Sequence, residues 1–273
     1  MDTKIFKGYM LVSDMDGTLI DSKGTISAKN ISAINRFIEM GGMFTIATGR
    51  TVDSVKRYID LLPLQLPFVI YNGSKIYDFS NEKTLYETFL EERIKDMIVK
   101  LADHESSLGI EVYCDEKIFI YRKCIFTGRL EQKGYKIYYE VPAHAWDRNW
   151  TKILIIGEQL QIDHIERTFK AMFGDCNLIR SSENYLEILP EGVSKGSGLE
   201  KLCGMVGASM KNVIAVGDNM NDYEMIARSG YGFCVANGYR KLLDMAQYKC
   251  PSNDEHAIEY VVNWAQSNLI LKK

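Results

Sequence analysis

The chain has 273 residues, 46% of them hydrophobic and 25% charged, enough for one large or two modest globular domains. A formal net charge of −3 offers no basic face to nucleic acid, and no apolar run is long enough to span a bilayer. Met1-Asp2-Thr3-Lys4 does not open a secretory signal, so a cytoplasmic protein is expected.

The apolar run Tyr9-Met10-Leu11-Val12 reads as a buried strand running into Ser13-Asp14-Met15-Asp16-Gly17-Thr18-Leu19. Ligands of open parallel sheets bind outside the carboxyl ends of the strands, so Asp14 and Asp16 should face a crevice. Two carboxylates that close repel unless a cation lies between them. The pair therefore reads as half of a magnesium site, with one carboxylate free to attack. Gly17 permits the tight turn that follows and lets backbone N–H groups approach an anion. Alone, the same four residues are equally a strand-capping turn.

Residues 30–40 place Ile31, Ile34, Phe37 and Ile38 at helical spacing, and Gly41-Gly42 ends them. A second strand over 43–47 ends at Thr48-Gly49-Arg50, and a helical segment over 52–62 follows, before Pro63. A third strand over 68–71 closes at Asn72-Gly73, with Lys75-Ile76-Tyr77 turning back as a hairpin arm. This alternation predicts a Rossmann-like three-layer α/β core with a parallel sheet.

The rhythm changes over 81–189. A helix is expected over 89–102, short strands over 110–114, 118–122, 136–140, 152–156 and 178–180, and a helix over 162–173. Grouped strands with few helices predict an inserted α+β cap domain, leaving 1–80 and 190–273 as the core. At the ligand end of the sheet such an insert would act as a lid. Its tyrosines and methionines read as its own core rather than a substrate cage, and none is assigned to specificity. The core resumes with a helix over 195–206 capped by Ser194 and a strand over 212–216. That strand ends at Gly217-Asp218-Asn219-Met220-Asn221-Asp222, and a helix over 223–227, a strand over 233–235 and a helix over 255–268 complete the chain.

Three strands thus end in polar clusters, which meet at one rim if the strands are parallel and adjacent, with Lys195 joining them from a helix N-terminus. Four carboxylates gathered there require a divalent ion, and oxygen donors without His or Cys select Mg²⁺. A hydroxyl, a lysine and backbone N–H groups around the same point make a phosphate cradle. Singly, Lys195 reads as a solvated helix residue, Thr48-Gly49 as a turn, and Arg50 as the partner of a core carboxylate. The six cysteines form no Cys-x-x-Cys pair and read as reduced, mostly buried thiols, and the four histidines show no metal-ligand spacing.

These motifs resemble those of the haloacid dehalogenase-like phosphohydrolases, in particular the Cof-type subfamily, whose cap is inserted after the third core strand. Asp14-Met15-Asp16-Gly17-Thr18-Leu19 looks like the first motif and Thr48-Gly49-Arg50 like the second. Gly192-Val193-Ser194-Lys195-Gly196 looks like the third and Gly217-Asp218-Asn219-Met220-Asn221-Asp222 like the fourth. The resemblance spans essentially the whole chain and implies a Mg²⁺-dependent phosphatase of small phosphorylated metabolites such as sugar phosphates. It implies that Asp14 attacks phosphorus to form an aspartyl phosphate, while Asp16 protonates the leaving alkoxide and then activates water. The metal would be held by Asp14, the Asp16 backbone carbonyl and Asp218, with Asp222 supporting through water. Thr48, Lys195, Asn221 and the backbone N–H groups of Met15 and Gly49 would bind phosphate oxygens.

Two stretches depart from the family pattern, Val235-Ala236-Asn237-Gly238 and Asn253-Asp254-Glu255-His256, the second carrying His where Gly is common. A phosphotransferase or mutase could use the same aspartyl phosphate, and a non-catalytic phospho-acceptor module is a further alternative. The expected partner is a small phosphorylated substrate, with no nucleic acid or membrane, acting on a monomer or weak homodimer.

Overall fold

The computed structural model describes residues 4–132 and 134–269. Met1-Asp2-Thr3, most of the stretch in which no secretory signal is read, lies outside them. The chain divides into two compact units, one formed by 4–86 with 194–269 and the other by Glu87–Val193.

The first unit carries five parallel strands in the spatial order Tyr248–Cys250, Tyr231–Val235, Val213–Gly217, Met10–Ser13, Met43–Ile46. The strands Met10–Ser13 and Val213–Gly217 are buried along their whole length, as near-continuous apolar runs must be when both faces of a parallel sheet are covered. On one face Met10, Val12 and Ala215 pack against Leu199 and Leu202 of helix Lys195–Val206 and against Met225 and Ile226 of helix Tyr223–Arg228. On the other, Phe233 meets Trp264 of helix Ala257–Leu269 with ring centroids 5.0 Å apart, and helix Ala28–Glu39 buries Ile34 and Phe37. The result is the expected three-layer α/β core. Ser13 lies opposite both Val216 and Ile46, so Asp14, Gly217 and Ala47 follow side by side at the carboxyl end of the sheet.

Helix Ala28–Glu39 starts two residues before its apolar periodicity because Ser27 caps it, its side chain accepting from the Asn30 N–H at 3.2 Å. The helix expected over 52–62 stops early. It spans Val52–Lys56, followed by the 3₁₀ turn Ile59–Leu61, because Pro63 holds Leu62 extended (φ −107°, ψ 138°). The third strand, Phe68–Ile70, joins the parallel sheet only through a bridge between Ala47 and Val69; its ladder is antiparallel, with Lys75–Asp78, which pairs on to Lys83–Glu87. Helix Arg240–Met245 and the strands Lys83–Glu87 and Tyr248–Cys250 are too short to carry a legible period.

The second unit is a six-stranded sheet in the order Asn177–Ser182, Tyr185–Leu189, Trp150–Ile156, Gly109–Cys114, Lys117–Arg122, Ile137–Tyr138, antiparallel except at the last pair. Helices Arg93–His104 and Gln159–Phe173 cover one face through Ile98, Leu101, Ile162, Ile165 and Phe169, which makes the insert α+β. Alternate strand residues put charge on the other face. There Arg129 forks onto Glu111 at 2.6 and 3.1 Å, Tyr113 donates to Glu111 at 3.0 Å and Lys152 donates to Glu187 at 2.7 Å. Met97, Tyr121 and Tyr138 belong to the insert's apolar core, whereas Tyr113 and Tyr185 belong to the polar network.

No helix among the described residues is long and apolar enough to cross a membrane. All six cysteines are free, four of them buried, and burial raises the thiols of Cys234 and Cys250 to about 12, far from the thiolate a nucleophile needs.

Candidate active site

The carboxyl ends of Met10–Ser13, Met43–Ile46 and Val213–Gly217 gather the polar clusters at one rim. Asp14 follows the first strand directly, its N–H donating to the Val216 carbonyl at 2.9 Å. Lys195 enters from the first turn of its helix, where Ser194 forms a capping box with Ser197. The ammonium is 1% exposed and donates to Asp14 Oδ1 and Asp222 Oδ1, both at 2.6 Å. Asp218 completes the group. Carboxylate oxygens of Asp14, Asp218 and Asp222 lie within 4.8 Å of one another, the one such grouping of potential metal ligands among the described residues.

Charge explains the chemistry of this group. When ionised, the three carboxylates outnumber the one ammonium by two charges in a largely buried place, the charge of one divalent cation. Burial, together with the charges of Asp222 and Asp16, raises the Asp14 carboxyl from 3.8 to about 7 even with Lys195 beside it. Burial and then Asp14 and Asp222 drive Asp218 upward as well. Burial alone would depress Lys195, yet the two carboxylates hold its ammonium above its ordinary value. All-oxygen donors with uncompensated negative charge fit a hard cation such as Mg²⁺.

The folded protein binds a proton at Asp14 more tightly than the unfolded chain does, so stability from this group is full below about pH 4 and declines as pH rises to about 7. In metal-free buffer the melting temperature should therefore be lower at pH 8 than at pH 5 when followed by circular dichroism. In Asp14→Asn that difference should shrink, and an unchanged difference would remove Asp14 as its source.

Asp14 and Asp16 part company. The chain turns immediately after Asp14, and Asp16, with its side chain 62% exposed, receives both arms of Arg50: Nε to Oδ2 and Nη2 to Oδ1, each at 2.7 Å. Arg50 is itself fixed by the Ser54 carbonyl at 3.1 Å and by stacking 4.8 Å from the Tyr58 ring. Arg50 thus pairs with a carboxylate, but with the exposed one of Asp16 rather than with a core carboxylate. Gly17 is at φ 76°, and a Cβ there would lie 2.5 Å from Asp218 Oδ2, so a glycine is required both by the turn and by the acid beside it.

The second cluster closes from the other side. Thr48 is 1% exposed and its hydroxyl accepts from the Arg50 N–H at 3.2 Å, while Asn221 donates to Asn72 Oδ1 at 3.1 Å. Gly49 lies against the same Asn72 side chain. Met15 is fully buried and its carbonyl anchors the turn, accepting from Leu19 at 3.1 Å and Ile20 at 2.8 Å.

The stretches that depart from the family pattern brace this loop. Asn237 donates to the Gly17 carbonyl at 2.8 Å and accepts from the Asn253 N–H at 2.9 Å, and Asn253 donates to the Ile20 carbonyl at 2.9 Å. His256 keeps the left-handed backbone suited to Gly (φ 62°) and contacts Ser27 Oγ through Nδ1 at 3.0 Å. Sequence reasoning marked both stretches as departures and missed this bracing role, since no spacing rule connects positions more than 200 residues apart.

A parallel α/β sheet with an acidic and lysine cluster at its carboxyl edge, interrupted by an α+β insert, defines a class of hydrolase. The family model for haloacid dehalogenase-like hydrolases matches residues 11–262, and the chain belongs to that family. It is 26% identical over 287 residues to the 5-amino-6-(5-phospho-D-ribitylamino)uracil phosphatase YwtE of Bacillus subtilis, covering 92% of this chain and 95% of that protein. An HMP-PP phosphatase of Enterobacter sp. is 27% identical, with 84% and 85% covered. Among solved structures, a haloacid dehalogenase-like hydrolase of Bacteroides thetaiotaomicron superposes with a TM-score of 0.78 at 26% identity, over 94% of this chain and 99% of that one. These similarities place the chain among the family's phosphoric monoester hydrolases.

Proposed function

We propose that the chain is a Mg²⁺-dependent phosphatase of small phosphorylated metabolites, sugar phosphates among them, working through an aspartyl phosphate on Asp14. The observation that carries this reading is the buried Lys195 spanning Asp14 and Asp222, with Asp218 beside them, three carboxyl groups set against one ammonium. Asp14, Asp218 and the Asp16 main-chain carbonyl would hold the ion. Asp222 would act at one remove, because its oxygens are taken by Lys195 and by the Asp218 and Asn219 N–H groups at 2.9 and 3.2 Å. When bound, Mg²⁺ supplies charge neutralisation for the attacking carboxylate and the phosphoryl oxygens.

The side chains divide the remaining work. Asp14 attacks phosphorus as the phosphorus–oxygen bond to the leaving group breaks, and Asp16 gives its proton to the departing alkoxide. Asp16 then takes a proton from water as that water attacks the aspartyl phosphate, releasing inorganic phosphate and restoring Asp14. For Asp16 to carry a proton it must give up two charge-assisted bonds to Arg50, and its exposure leaves it free to turn. Lys195, Thr48, Asn221 and the N–H groups of Met15 and Gly49 bind the phosphoryl oxygens, where fixed donors act on charge that develops in the transition state.

A panel of small phosphate esters, with p-nitrophenyl phosphate included, tests the reading by release of inorganic phosphate with Mg²⁺, with chelator, and after Mg²⁺ is restored. Release should vanish with chelator and return with the ion. Failure to release phosphate from any member in Mg²⁺ buffer would sink the proposal.

A further inference from the structure

The turn after the third strand is strained. Tyr71 and Asn72 both occupy the left-handed region, at φ 52° and 54°, and Gly73 follows at φ 103°. Successive non-glycine residues in that region are costly and persist only where their surroundings impose the shape. Here the surroundings are the site. A Cβ on Gly73 would lie 2.1 Å from the Ser194 carbonyl oxygen, and one on Gly198 would lie 2.8 Å from Gly73 Cα. The turn is therefore pressed against the first turns of the helix that delivers Lys195.

Asn72 joins the other two motifs as well. Its N–H donates to the Thr48 carbonyl at 2.9 Å, and its carboxamide lies over Gly49, where a Cβ would be 3.1 Å from both amide atoms. Its Oδ1 accepts from Asn221 Nδ2 at 3.1 Å. The side chain is fully buried, and Nδ2 has no acceptor. A buried donor without a partner is rare and unfavourable, so its presence asks what acceptor arrives. In the sequence, Asn72 carries only a turn signal.

We propose that Asn72 is a member of the phosphate cradle: Oδ1 positions Asn221, and Nδ2 is the donor kept for a phosphoryl oxygen. The proposal rests on the phosphatase reading. Asparagine meets three demands together: it tolerates a left-handed backbone, offers an acceptor to Asn221 and retains two N–H bonds. Aspartate lacks the donor, and glycine, though better suited to the backbone, lacks both groups.

The test uses the full chain with saturating Mg²⁺, p-nitrophenyl phosphate as substrate and inorganic phosphate as the probe. Asn72→Gly relieves the backbone and so keeps the fold, and Asn72→Asp keeps the shape while removing the donor. Both should raise KM and the inhibition constant of inorganic phosphate about tenfold or more, with half-saturation by Mg²⁺ within about twofold of wild type. Wild-type inhibition by phosphate in Asn72→Gly overturns the proposal. So does a parallel loss of Mg²⁺ affinity and phosphate affinity in both variants, which is the mark of a structural role. If wild type releases no phosphate from any ester, the phosphatase reading fails, and calorimetric titration of inorganic phosphate into wild type and Asn72→Gly still decides whether Asn72 binds the anion.

Discussion

Asp14→Asn should lower the rate of phosphate release by about 10⁴-fold or more while the protein stays folded. The substitution keeps the shape and almost the volume of the side chain but removes the charge that, in the proposed reaction, attacks phosphorus. Lys195 keeps a partner in Asp222 at 2.6 Å and can still donate to the amide oxygen at position 14. The new amide N–H group meets the Asp218 carboxylate, which already lies within reach of Asp14. Stability should rise rather than fall near pH 8 in metal-free buffer. Burial disfavours the ionised Asp14 carboxylate, so above pH 7 the wild-type fold carries a cost that the neutral amide avoids. Single-turnover release of p-nitrophenol and thermal melting, measured on one preparation, check both halves. A variant that turns over at the wild-type rate would remove Asp14 from the chemistry, and one that fails to fold would show that its charge holds the site together.

The parts of this molecule that could be read from sequence share a physical property: their information is local. The strand Met10–Ser13 and the helix Lys195–Val206 were legible because burial, period and capping residues all sit within a dozen positions. Convergence of Asp14, Lys195 and Asp218 was legible only by assuming adjacent parallel strands, and the sheet order supports that assumption for the strands that end at Asp14, Thr48 and Asp218. What stayed hidden is pairwise and distant. No periodicity says that Arg50 grips Asp16, that Asn237 and Asn253 brace Gly17, or that Asn72 bonds to Asn221 across 149 residues. The polar face of the insert was hidden for another reason. Glu111, Tyr113, Lys152 and Glu187 alternate with apolar residues as in any half-solvated strand, and their mutual pairing exists only once the sheet has formed.

Replacing the lysine should be the more damaging change to the fold. Lys195→Met keeps the length of the side chain in a place that is 1% exposed, but it leaves Asp14, Asp218 and Asp222 with no positive charge among them. Removing one partner of a buried ion pair typically costs ~3–5 kcal/mol, because the remaining charge loses its compensation without regaining water. For a chain of this size that corresponds to a fall of roughly 10 °C in melting temperature. Two features separate this origin from simple loss of packing. The deficit should shrink as pH falls toward 5, where the carboxylates protonate and no longer need the ammonium. On the proposed reading it should also shrink with Mg²⁺, which would restore positive charge, whereas turnover should stay down by about 10²-fold or more because the proposed lysine donor to the phosphoryl group is gone. Lys195→Arg keeps the charge but brings a wider, planar head into a closed space, so it should recover stability in part and activity poorly. A Lys195→Met protein that melts with wild type at pH 8 without metal would mean that the three carboxylates are not held together by that ammonium.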